Sequence, residues 1–118
     1  MYREEREELK VYLKTLSAFE ITTKKRMFCE KLFLKKLTRI LKKKDCIPFI
    51  IGKKQPYGVV IFEENSLRVI SDFSKTSYKE SLYTNVINPI DEWFEINGFD
   101  QILTENSEET EIEIKIRK

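Results

Sequence analysis

A chain of 118 residues with 22 Lys+Arg and 20 Asp+Glu is sized for one domain spanning 1–118, and 41% hydrophobic content is enough to fill a modest core. The near-neutral total hides a division: residues 1–44 carry 14 basic side chains against 6 acidic ones, and residues 45–118 carry 8 against 14. With no His anywhere, Ser-His-Asp triads, Cys-His dyads and His-containing zinc sites are excluded.

From Tyr2 to about Phe19, apolar side chains at Leu9, Tyr12, Leu13 and Leu16 repeat at three and four residues and predict an amphipathic helix. A second helix is predicted from about Thr23 to Lys44, free of Gly and Pro, ending where Pro48 forces the preceding chain to extend. The link Glu20-Ile21-Thr22 is short enough to fold the two back on each other as an antiparallel αα-hairpin over 1–44.

Beyond it, Ile47–Ile51, Tyr57–Glu63 and Leu67–Asp72 read as strands joined by short turns, hence as antiparallel neighbours. Both alternating sets of the second are apolar, which predicts a strand covered on both faces. Leu82–Ile87 is a candidate further strand, preceded by a mobile loop over Phe73–Lys79. Asn88 as N-cap, Pro89 at the first helical position and Gly98 as a left-handed stop predict a short helix over 89–97, with Ile90, Trp93 and Phe94 docked on the sheet. Thr104–Glu108 reads as a polar loop. Thr110, Ile112, Ile114 and Ile116 then alternate with Glu111, Glu113, Lys115 and Arg117 as a strand with one wet face. The expected architecture is α+β: the N-terminal αα-hairpin packed on a four- to five-stranded, mainly antiparallel sheet over 45–118, with one short additional helix.

The second helix carries the strongest chemical signal. Ten basic residues fall on it with Glu30 as the sole acid. At 100° per residue, Lys24, Lys31, Lys35, Arg39 and Lys42 form one ridge, while Met27, Cys29, Phe33, Leu34, Leu37, Ile40 and Leu41 give the helix an inside. Such a ridge can follow a phosphate backbone and release its counterions. Lys24, Lys25 and Arg26 crowd the positive end of the helix dipole, a cost of a few tenths of a kcal/mol each that an anion would offset. The expected contacts to DNA or RNA, without sequence preference, are therefore Lys24, Lys25, Arg26, Lys31, Lys35, Arg39 and Lys42. The competing expectation is a solvated face, neutralised in part by the Glu4, Glu5, Glu7 and Glu8 end of the first helix.

The leading expectation is a non-catalytic accessory protein that binds nucleic acid. The alternative is a protein-interaction module or small homo-oligomer, in which the basic half of one chain meets the acidic half of another or an acidic partner. A third is a metal-dependent nuclease, because Glu111, Glu113 and Lys115 contain an E-x-K spacing which, with Asp72, is similar to restriction-type nuclease sites; a wet strand face explains the same residues. Tyr78, Tyr83, Trp93, Phe94 and Phe99 form either an aromatic recognition surface or core.

Cys29 and Cys46 are too far apart for CxxC and too few for a metal cage, so reduced, buried thiols are expected. Gly52, Gly58 and Gly98 are isolated, each with a turn or cap explanation, and make no phosphate loop. No catalytic residue, metal or cofactor is expected. A charged N-terminus without an apolar stretch, and no run of about 18 apolar residues, predict a cytoplasmic protein with no membrane association. The Lys- and Ile-rich composition suits a viral or mobile-element product.

Overall fold

Residues 3–19, 39, 42, 45–51, 57–71, 75–106 and 111–117 are described by the computed structural model. They include helix α1 (Arg3–Lys14), strands β1 (Cys46–Ile50), β2 (Tyr57–Phe62) and β3 (Ser66–Ser71), helices α2 (Thr76–Leu82) and α3 (Asn88–Ile96), and strands β4 (Asp100–Glu105) and β5 (Glu111–Arg117). The five strands form one sheet in the order β1-β2-β3-β5-β4, every adjacent pair antiparallel. The fold is thus α+β.

Glu4 and Glu5 in the first turn of α1 and Lys14 in the last complement the helix dipole. Leu9 and Leu13 are fully buried against the sheet. The α-helix stops at Lys14, short of the predicted Phe19, because the chain tightens: Thr15 N–H donates to Tyr12 O at 2.9 Å and Phe19 N–H to Leu16 O at 3.0 Å, both three-residue spans. The tightening delivers Phe19 to the core, its ring centroid 5.6 Å from that of Phe49. Of the second predicted helix, Arg39 and Lys42 are helical and exposed. The rest of it, and the hairpin link to α1, lie outside the described residues.

The first three strands fall where the alternation places them. All of β2 is buried. Val60 and Phe62 face the main core with Ile47, Phe49, Leu67, Val69, Ile112 and Ile114, while Tyr57, Val59 and Ile61 join Ile70 in a second cluster on the opposite face. Gly58 is a correction to the turn-or-cap reading, since it sits within β2 opposite Phe49 and Ser71. The Phe49 ring needs the space a side chain would take. Ser71, buried beside it, is satisfied by donating from Oγ to Tyr57 O at 2.7 Å.

The candidate strand Leu82–Ile87 is helical. A π-helical turn over Tyr83–Ile87 joins α2 to α3, and Asn88 N–H reaches back five residues to Tyr83 O. Leu82, Val86, Ile90 and Phe94 repeat every fourth residue and are all buried, a helical ridge that β-prone residue types disguised. On a plain α-helix that spacing drifts by about 40° per step, and the wider turn absorbs part of the drift. Asn88 is therefore not an N-cap. Its φ of −62° and ψ of −43° are helical, and Pro89, which has no N–H to give, follows directly on the π-turn. The loop predicted over Phe73–Lys79 is helical from Thr76 onward, and residues 72–74 lie outside the described residues.

Gly98 stops α3 as expected, at φ 79°. Its N–H donates to Glu95 O at 3.1 Å and Phe99 N–H to Phe94 O at 2.9 Å, the paired bonds of a Schellman motif, with the Phe94 and Phe99 rings edge to face at 5.5 Å. β4 replaces the first part of the predicted polar loop: Thr104 and Glu105 are its last residues. Its side chains are largely exposed and its two apolar residues, Ile102 and Leu103, are adjacent, so no alternation marks it. In β5, Ile112 and Ile114 are buried and Ile116 packs at the margin of the core, as the alternation requires.

Candidate functional site

Two of the seven predicted nucleic-acid contacts, Arg39 and Lys42, are described. They stand three residues apart, on one surface of a helix, and both are exposed. Among the described residues neither forms an ion pair with a carboxylate. Lys24, Lys25, Arg26, Lys31 and Lys35 lie outside the described residues.

Asp45, the acid nearest to this helix in sequence, is engaged elsewhere. Lys10 Nζ lies 2.8 Å from its Oδ1 and 2.9 Å from its Oδ2, and Arg6 approaches at 3.7 Å. Lys10 also reaches Glu7 at 3.2 Å and lies 5.1 Å from the centroid of the Phe62 ring, while Arg6 donates to Glu63 O at 2.8 Å. Burial pulls the Lys10 ammonium down, but the hydrogen bonds to Asp45 and Glu7 outweigh it and hold its pKa above the ordinary value. This knot ties α1 to the end of the sheet. Sequence reasoning missed it because the partners are 35 residues apart with no periodic signal between them. Cys46 beside it is a thiol only half-buried, less covered than expected, pushed up in pKa by burial and then by the Asp45 charge, the opposite of an activated nucleophile. Cys29 lies outside the described residues.

A second cluster occupies the sheet face opposite α1. Arg68 Nε lies 2.7 Å from Glu63, 3.2 Å from Glu111 and 3.8 Å from Glu113. The strand register makes it: Arg68 is paired with Glu113, and Ile70 with Glu111, so Arg68 lies among acids on the β5 wet face. Glu111 and Glu113 thus flank a guanidinium, and a metal ion between them would have to displace it. Asp72, the fourth member of that constellation, lies outside the described residues. Among the described residues no three His, Cys, Asp or Glu side chains are arranged to hold a metal ion.

The third cluster joins α2, the π-turn and β4. Tyr83 OH and Lys79 Nζ both donate to Glu105, the latter at 2.9 Å. The hydrogen bond from Tyr83, then that from Lys79, hold the Glu105 carboxyl below the usual range, while burial and the same bond push the Tyr83 phenol well above its own. Of the aromatic group, Phe94 and Phe99 are buried and Trp93 and Tyr83 pack at the core margin, so core accounts for most of it. Among the described residues no helix is long and apolar enough to cross a membrane. Comparisons of the chain with protein-family models, with curated proteins and with solved structures return no match.

Proposed function

We propose that this is a non-catalytic accessory protein that binds nucleic acid through a basic helical ridge: Lys24, Lys25, Arg26, Lys31, Lys35, Arg39 and Lys42. The reading includes the antiparallel αα-hairpin, in which the second helix folds back along α1, and a reducing cytoplasmic setting. One observation carries it. Arg39 and Lys42 project from the same helical surface into solvent, while Asp45, close by in sequence, is bound to Lys10 and Arg6. A surface of this kind gains affinity by releasing counterions from phosphates, not by reading bases, which accords with the lack of a sequence-reading motif.

The test is the salt dependence of binding to labelled duplex DNA, single-stranded DNA and RNA. With seven phosphate contacts, log K against log salt should have a slope of about −6 on duplex and about −5 on single strands. Fluorescence anisotropy that finds no binding at low salt, or binding indifferent to salt, would rule the proposal out.

A further inference from the structure

The two edges of the sheet are built differently. On β1, Phe62 N–H donates to Asp45 O at 2.8 Å, and counting in twos from that bond turns the backbone of Ile47 and Phe49 inward and that of Pro48 outward. Pro48 cannot donate, so this edge is guarded against a further strand. On β4, Asn106 N–H donates to Glu111 O at 3.0 Å, so Thr104, Ile102 and Asp100 bond to β5 while the N–H and C=O groups of Gln101, Leu103 and Glu105 point away from the sheet. Proline and lysine are missing from Asp100–Glu105 and its two charges, Asp100 and Glu105, stand at the ends, so the stretch Gln101–Thr104 carries neither a proline nor a charge to guard it. Ile102, one of three large apolar side chains exposed among the described residues, sits in the middle.

We propose that β4 is the pairing edge for a second copy of this chain, the two β4 strands lying antiparallel about a two-fold axis at Ile102 or Leu103. The sequence narrows the register to these two. Centred on Leu103, the outward-facing residues pair Leu103 with Leu103 and Gln101 with Glu105 of the other copy, each pair exchanging two backbone hydrogen bonds, and no carboxylate lies opposite another. Centring on Glu105 would set the two carboxylates against each other, and centring on Gln101 would shorten the overlap. Centring on Ile102 is also open: Ile102 then faces Ile102 of the other copy as a non-hydrogen-bonded pair, while Leu103 and Gln101 exchange the backbone bonds, so both registers bond the Leu103 amide and cover Ile102. In the Leu103 register Ile102 lies opposite Thr104 of the other copy and diagonal to its Ile102, which covers the exposed apolar group from both sides. The two sheets become one continuous sheet, closed by the two-fold so that it does not grow into a fibre. No residue of the basic ridge takes part, so this inference and the proposed function stand or fall separately.

The experiment is sedimentation velocity on the full chain across a wide concentration range, with hydrogen exchange of the β4 amides followed by NMR on the same samples. A concentration-dependent dimer is expected, and with it exchange of the Leu103 amide slowed by about tenfold or more at high concentration, while the Ile102 and Thr104 amides, already bonded to β5, change little. Ile102→Lys, at an exposed position, should leave the circular dichroism of the monomer unchanged and abolish the dimer. A chain that stays monomeric overturns the proposal. So does a dimer whose Leu103 amide still exchanges freely; if salt dissolves that dimer, its interface is one of charge, the basic half of one copy against the acidic half of the other.

Discussion

Gly58→Ala should destabilise the fold by about 3 kcal/mol or more, a loss at the upper end of overpacking changes. A Cβ at this position would lie 2.1 Å from Ile70 O, 2.7 Å from Phe49 Cζ and 3.0 Å from Ser71 Cβ. The first contact is with backbone, and Ile70 is held by pairing on both sides, to Val59 in β2 and Glu111 in β5. No side-chain movement relieves it, so the β2 and β3 backbones must part, and the second contact meets the Phe49 ring, fully buried and packed against Phe19, which carries the disturbance into the chain that follows α1. For a domain of this size the melting temperature should drop by roughly 10 °C. Urea and thermal unfolding of the variant check it, and a midpoint close to wild type would mean that neither Ile70 O nor Phe49 crowds Gly58.

Reversing Lys31, Lys35 and Arg39 to Glu together should weaken nucleic-acid binding by about 500-fold at 0.1 M salt. The figure follows from counterion release: each lost phosphate contact lowers the salt slope by about 0.9, and three contacts at that concentration amount to about 2.7 decades before repulsion from the new carboxylates is added. The slope itself should become shallower by about 3. Arg39 is exposed and makes no ion pair among the described residues, so its reversal should leave folding intact. Titration of labelled DNA and RNA with both proteins, alongside their circular dichroism, checks it. Equal affinities would move the binding surface away from this ridge.

What the sequence made legible was whatever depends on a local period or a local stop. The alternation of Ile112, Ile114 and Ile116 placed β5, the doubly apolar β2 declared its two covered faces, and Gly98 ended α3. The errors share a cause. Leu82–Ile87 is rich in β-prone types, and only the four-residue recurrence through Ile90 and Phe94 reveals the helix. β4 lacks a pattern because an exposed edge does not need one. Ion-pair partners were the least accessible. Arg68 meets Glu111 and Glu113 only because β3 and β5 are neighbours, which no local rule specifies, and the Lys10–Asp45 contact depends on where α1 crosses the sheet.

That adjacency also sets an order of assembly. β1, β2 and β3 are joined by few residues, as are β4 and β5, but Ile70 pairs with Glu111 across a stretch of about 40 residues that contains α2, α3 and β4. Closing such a loop costs about 1.7 kcal/mol more entropy than closing the six residues between β1 and β2. The two sub-assemblies should therefore form first and zip together last. Trimming the seam with Ile114→Val should then speed unfolding in stopped-flow experiments and leave refolding almost unchanged; a refolding rate that falls in step with stability would put the seam in the nucleus instead. Until the seam closes, both of its rims are open, so crowding during synthesis bears on this step more than on any other.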